Sequence, residues 1–422
     1  MIAIRVENFS CIKSAELIVG DFTILIGPQA SGKSILSKLI YFFTDQISKQ
    51  YDRVVEQKPF EAFSDDIKSR FAEWFPVAAW GKDKFKIEFE MGEYKVRLTR
   101  TSYDDSVRDN LRIWTSGLVK QHYKHSSDLI KKLRQSTAKK VRSEFADIEL
   151  SWSLRDSASK QLSMEVGKDY VEYQTFIPAG RSFFTTLGRA FMAFEGRAMD
   201  PITIQFGRYF TAMQDDARWR RSRRLSGLDA ELGTVLGGTV IWKDETPSLR
   251  CSDGRVMPFS ALSSGQQELL PLVTALSRFG GRNTRAQEFS HLLYIEEPEA
   301  HLFPNSQSQL LKVLAALVNQ NNKNRRLVIT THSPYVLATA NNLIKAGSLA
   351  NTLSASKREI LDKIVDPAHQ LERGTVRAYA IIDGYLKGII DEDGLVAADY
   401  LDSISGEIGQ QFSSLLELEF TE

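Results

Sequence analysis

The run Gly27-Pro28-Gln29-Ala30-Ser31-Gly32-Lys33-Ser34 fits the pattern G-x-x-x-x-G-K-S/T. Glycines let successive backbone N–H groups wrap phosphate oxygens, and the helix start that follows adds partial positive charge. Lys33 is expected to reach the β- and γ-phosphates of ATP, and Ser34 to ligate Mg²⁺. Far downstream, LLYIEE (292–297) ends an apolar run in two carboxylates. One acid can join the Mg²⁺ shell while the next orients and deprotonates an attacking water. Glu296 is expected in the first role, through a metal-bound water because its side chain is long. Glu297 is expected in the second, as catalytic base. TTHSP (330–334) ends another apolar run. There His332 is expected to hydrogen-bond a γ-phosphate and sense its loss. The expected chemistry is slow hydrolysis of ATP to ADP and phosphate, with ATP and Mg²⁺ as cofactors.

A second loop invites an anion. In LSSGQQ (262–267), Ser263, Ser264, Gly265 and Gln266 precede a helical run, and small residues at a helix start suit phosphate. Ser263 or Ser264 is expected as the helix N-cap. A complete phosphate loop already lies about 230 residues upstream, so the phosphate served by the second loop is a separate question. Pro271 falls inside the following helix, where it removes a hydrogen bond and is expected to kink the axis.

Elements must bring these residues together. Phe22–Ile26 is a continuous apolar run, as in a parallel strand buried on both faces, and it leads into the phosphate loop. The helix after the loop carries Ile35, Leu36, Leu39, Ile40 and Phe43 at helical spacing. Strands are expected at 2–7, 13–19, 291–297 and 327–334, with hairpins over 84–99 and 238–259. The second hairpin turns at Asp253–Gly254. From about Asn110 to Gln161 the pattern turns helical and polar, and another helical stretch covers about 187–224. YQTFIPA, from Tyr173, is a short strand between them.

Bulk properties narrow the class. The net charge of +1 excludes a polycation, so any affinity for nucleic acid must be local. Cys11 and Cys251 are too few for a disulfide framework and suit a reducing, cytoplasmic setting. No run of 18 apolar residues is available to span a membrane.

The order of phosphate loop, serine-glycine loop, acidic strand and histidine strand resembles the ABC-type ATPases. Their signature loop reads L-S-G-G-Q; here it is Leu262-Ser263-Ser264-Gly265-Gln266, with Ser264 replacing the first glycine. The resemblance implies a head-to-tail dimer or larger homo-oligomer in which each signature caps the ATP held by the other subunit. EEPEAHLFPNSQ (296–307), ITTHSPYVL (329–337) and the opening IRVENFSCIKSAELIVGDFTILIGPQASGKS resemble the RecF/SMC/OLD-like branch (AAA_15/AAA_21). FIPAGRSFF (176–184) resembles that branch's P-A-x-R element. Arg181 is thus either a site residue or an ordinary salt-bridging arginine.

The fold class implied is α/β: an ABC-type ATPase head, with a phosphate-loop sheet, an antiparallel β subdomain and an inserted helical domain. Residues 1–100 are assigned to the N-terminal lobe of the head and 101–235 to the mainly helical insertion. Residues 236–422 form the C-terminal lobe, with signature, acidic strand, switch histidine and a short tail. Two basic patches fall in the insertion: 120–142, and Arg218, Arg220, Arg221, Arg223 and Arg224 around Trp219. They suit DNA, an acidic trigger protein, or plain solvation. In the tail, IIDEDG (389–394) ends in Asp-x-Asp like a Toprim metal pair, but Asp393–Gly394 reads better as a hairpin turn. The chain therefore resembles ATPase subunits of two-gene anti-phage systems such as PARIS or Septu, which work with a separate nuclease. A RecF-type DNA-repair or DNA-loading ATPase, or a nucleotide-locked scaffold, is the alternative.

Overall fold

The computed structural model describes residues 1–101, 110–137, 156–187 except 158, 190, 199–215, 227–243, 246–280, 290–320, 325–397 and 410–415. The five arginines at 218–224 and the end of the basic run 120–142 lie outside them.

Fourteen strands are described. β1 to β7 are Ile2–Phe9, Ile12–Val19, Phe22–Ile26, Lys86–Met91, Tyr94–Arg100, Leu111–Thr115 and Tyr173–Ile177. β8 to β14 are Gly238–Lys243, Thr246–Cys251, Val256–Pro258, His291–Glu296, Arg325–Thr331, Val376–Ile382 and Tyr385–Gly388. Eleven form one sheet in the order β6-β5-β4-β1-β2-β14-β13-β3-β12-β11-β7, and β10-β9-β8 form a second. The fold is thus mixed α/β. In the large sheet β13, β3, β12, β11 and β7 run parallel. On the other side, β2, β1, β4, β5 and β6 pair antiparallel.

Side-chain alternation in the central strands builds two cores, one on each face. Ile24, Ile26, Leu293, Ile295, Leu327 and Ile329 face helices Ser264–Gly280, Pro304–Asn319 and Pro334–Ala350. Leu25, Leu292, Tyr294 and Val328 face helix Lys33–Ser48, whose Leu36, Leu39, Ile40 and Phe43 are wholly buried. Among the described residues no helix is long and apolar enough to cross a membrane.

One expectation changes, and two features of the C-terminal half are set by pairing and packing. The helical pattern from Asn110 begins instead with strand β6, and helix Gly117–Thr137 follows it. β5 offers β6 an open edge, and pairing there outweighs local propensity. The tail after 345 supplies β13, which lies directly against β3, the strand that leads into the phosphate loop. Pro271 lies inside helix Ser264–Gly280, as expected. The proline cannot donate to the Gln267 carbonyl, and the Thr185 hydroxyl donates to it instead at 2.9 Å. The turn at Asp391–Gly394 is closed by Gly394 N–H to the Asp391 carbonyl, and Asp391 Oδ1 accepts from Leu395 N–H.

Candidate active site

Parallel register sets the site. Ile26 of β3 stands opposite Thr331 of β12, and Thr330 opposite Glu296 of β11. The phosphate loop, His332 and Glu297 therefore leave neighbouring strands at the same edge, where open α/β sheets hold ligands.

The loop Gly27 to Gly32 turns into helix Lys33–Ser48 without a side-chain cap, so its first N–H groups are free to meet an anion. Gly32 has φ 108°, and a Cβ there would lie 2.9 Å from Ile12 Cγ1; only glycine suits both demands. Pro28, Gln29 and Ala30 are exposed, as is Ser34 in the first helical turn. Lys33 is buried, and its ammonium donates to the carbonyls of Gly27 at 2.9 Å and Pro28 at 2.8 Å. Burial pushes its pKa down, while Glu297, Glu299 and Glu296 pull it back up.

The two acids differ sharply. Glu296 is buried; its Oε2 accepts from Ala179 N–H at 3.2 Å, and its Oε1 is buried without a hydrogen-bond partner. Glu297 is partly exposed, and its carboxylate lies 3.4 Å from His332 Nε2. Glu297 also has φ 43°, a left-handed conformation that costs a non-glycine residue about 1–2 kcal/mol. Its N–H donates to the Thr330 carbonyl at 2.9 Å.

Glu299, which the sequence reading did not single out, holds the histidine loop. Its Oε1 accepts from the Thr331 hydroxyl at 2.6 Å and from His332 N–H at 2.9 Å. Its spacing from Glu296 in EEPEA was the available signal, though an acid past Pro298 carries no evident role before the strands are paired. Arg181, the other open reading, is completely buried and reaches the acidic strand end.

Ser263, not Ser264, caps the signature helix. Its Oγ accepts from Gln266 N–H at 3.4 Å, and Gln266 Oε1 accepts from Ser263 N–H at 3.3 Å, a reciprocal capping box. Gln266 Nε2 reaches the Leu236 carbonyl at 3.2 Å. A Cβ on Gly265 would lie 2.8 Å from the His301 carbonyl oxygen, so the helix start sits hard against the loop after the acids. Ser263 and Ser264 are exposed.

These residues fit a nucleotide and a divalent cation. Ser31 Oγ is buried without a partner inside the phosphate loop, and Glu296 Oε1, in the acid pair, is likewise buried and unpartnered. Buried polar atoms left unpaired are costly unless something completes them.

The family described as AAA ATPase domain matches residues 1–337. The chain belongs to that family and is an ATPase of its kind. No curated protein matches the sequence. Among solved structures it is similar to the SMC head domain from Thermotoga maritima, with 12% identity, TM-score 0.38 and coverage of 92% of this chain and 97% of that one. It is also similar to the recombination mediator protein RecF, with 10% identity, TM-score 0.34 and coverage of 92% and 98%. A bacterial ABC transporter cassette with a dimeric structure shares 11% identity, with TM-score 0.33 and coverage of 91% and 96%.

Proposed function

We propose that the chain is an ABC-type ATPase subunit that hydrolyses ATP slowly at a site shared between two head-to-tail copies. Its nucleotide state controls a separate effector nuclease in anti-phage defence. The observation that carries the ATPase reading is the meeting of Lys33, Glu296, Glu297 and His332 at one edge of the parallel strands. The phosphate loop, Gly27 to Ser34, binds the triphosphate. Ser34 and Glu296 hold Mg²⁺, which supplies neutralising charge to the phosphates. Glu297 orients water and takes its proton; His332, beside it, stands where the γ-phosphate is sensed. Ser263, Ser264, Gly265 and Gln266 present a capped helix start outward, toward the nucleotide of the second copy. Residues 1–100 and 236–422 supply most of the head, joined by β6, β7 and Arg181 from 101–235, and the rest of 101–235 carries its sensing surface.

The effector role rests on resemblance and on a detail of the tail: the Asp-x-Asp of 391–393 is folded into a turn with Asp391 bonded to Leu395. The experiment co-purifies the chain with the product of the neighbouring gene and measures nucleic-acid cleavage with and without ATP, for wild type and Glu297→Gln. Cleavage that follows nucleotide state supports the proposal. Nuclease activity indifferent to this chain overturns the effector role.

A direct DNA-acting role is favoured by one observation: Lys120, Lys124, Lys131 and Lys132 are all exposed on helix Gly117–Thr137. Hydrolysis stimulated by DNA alone, with affinity falling steeply with salt, selects that reading. Changing Arg218, Arg220, Arg221, Arg223 and Arg224 together to Glu lowers that affinity if the patch binds phosphate.

A further inference from the structure

Arg181 sits where three pieces of the site meet. Its Nη1 donates to the Glu296 carbonyl at 2.6 Å and to the Pro178 carbonyl at 3.1 Å. Its Nη2 donates to the Glu297 carbonyl at 3.0 Å. Its Nε donates to the Glu268 carbonyl at 3.3 Å and lies 3.7 Å from the Glu268 carboxylate. Glu268 belongs to the signature helix and is itself buried. One guanidinium thus binds both peptide carbonyls of the acid pair and the second turn of the helix that begins at Ser264.

The same two segments are joined again around this contact. Glu268 Oε2 accepts from Arg181 N–H at 2.9 Å, and Oε1 accepts from the Ser182 hydroxyl at 2.8 Å. Thr185 donates to the Gln267 carbonyl that Pro271 leaves free. Residues 181–185 are therefore bonded to the signature helix at three points. On the acid side, Glu297 is held in a left-handed conformation that persists only where its surroundings over-determine it. Thr330 holds its N–H and Arg181 its carbonyl.

We propose that Arg181 is a positioning residue that ties the signature helix to Glu297 of the same chain. Engagement of the signature by a second subunit's nucleotide is thereby felt as a shift at the base. Lysine cannot replace it: an ammonium lacks the planar fork that reaches the four carbonyls of Pro178, Glu268, Glu296 and Glu297. The inference rests on the reading of Glu297 as base.

The test compares Arg181→Lys, Glu268→Gln and Glu297→Gln, each checked for folding by thermal unfolding. Turnover and ATP affinity are measured separately. Arg181→Lys is expected to lose about 10²-fold in kcat, the scale of a misplaced reacting group. Its ATP affinity stays within twofold, because the phosphate loop is untouched. Glu268→Gln shows the same split to a lesser degree. Wild-type kcat in folded Arg181→Lys overturns the proposal. Equal losses of kcat and affinity also overturn it, since they mean general support of the fold. If Arg181→Lys does not fold, Glu268→Gln decides on the same two readouts. Glu297→Gln separates the two readings: wild-type turnover there defeats the base assignment, whereas an inactive Glu297→Gln beside an unaffected Arg181→Lys defeats only the positioning role.

Discussion

The carboxylate of Glu297 lies 3.4 Å from Nε2 of His332, and each residue follows the end of a different parallel strand. β11 and β12 are adjacent, so strand pairing itself brings Glu297 and His332 together. Glu297→Gln keeps the size of the side chain and removes its basicity. Hydrolysis is expected to fall by about 10² to 10⁴-fold, the usual worth of a general base, while ATP still binds. Steady-state phosphate release and equilibrium binding of a fluorescent ATP analogue check this together. His332→Ala should reduce turnover less than Glu297→Gln does. A histidine variant as inactive as the glutamine variant would contradict that ranking.

If the site is shared head to tail between two copies, as proposed, mixtures of variants follow a definite pattern. Lys33→Ala removes the phosphate-loop cation, and Ser263→Arg places bulk at the capped helix start. Neither homodimer retains an intact site. In a heterodimer one interface carries both defects and the other carries intact Lys33 with intact Ser263. Activity should return on mixing, to at most about half the wild-type rate per heterodimer if the sites are independent. Subunit exchange is verified first, and occupancy is measured with turnover. Verified heterodimers that neither trap nor hydrolyse ATP contradict the head-to-tail arrangement.

Gly265→Ala should destabilise the signature start. Its Cβ would come within 2.8 Å of the His301 carbonyl oxygen, and His301 itself holds φ 59°. Backbone on both sides leaves no flexible side chain to move aside, so a cost of about 1–3 kcal/mol is expected, typical of overpacking. Chemical denaturation measures it. An unchanged midpoint would show that the two loops separate freely.

Pro271 and Thr185 should be coupled. Replacing an interior helix proline by alanine ordinarily gains about 3 kcal/mol. Here the gain should be smaller, because the orphaned Gln267 carbonyl already has the Thr185 hydroxyl. Thr185→Val should cost about 1–3 kcal/mol in the wild type, by leaving a carbonyl unsatisfied. In a Pro271→Ala background it should cost less. A double-mutant cycle by denaturation reads the difference; strict additivity would refute the pairing.

Acid should weaken the protein through His291. Burial pushes this imidazole down to about 3, and nearby Arg325 adds to the shift. In the unfolded chain it titrates near its ordinary value of about 6.5. A base whose folded pKa is lowered leaves the unfolded state holding more protons. Stability is therefore complete above about pH 6.5 and falls as pH drops toward 3. The loss between pH 6.5 and 4.5 is on the order of 2–3 kcal/mol. His291→Gln should flatten that part of the stability–pH curve; an unaltered slope would assign the acid sensitivity to other groups.

Local sequence was enough for the phosphate loop. Gly32 and Lys33 follow a buried strand and open an amphipathic helix, so backbone geometry and chemistry are encoded within one short segment. The acidic strand end, the Asp253–Gly254 turn and Pro304 at a helix start were legible for the same reason: each depends on neighbours in the chain. Ser263 was legible as one of two caps, and the choice between them needed the side chain of Gln266. What tertiary structure alone decided depends on partners distant in sequence. β6 is a strand because β5 has an edge to fill, and β13 joins β3 after more than 300 intervening residues. Glu299 holds His332 only once β11 and β12 are paired. Arg181 looks like any salt-bridging arginine until folding removes its water, and a buried guanidinium must then find carbonyls wherever the packing places them.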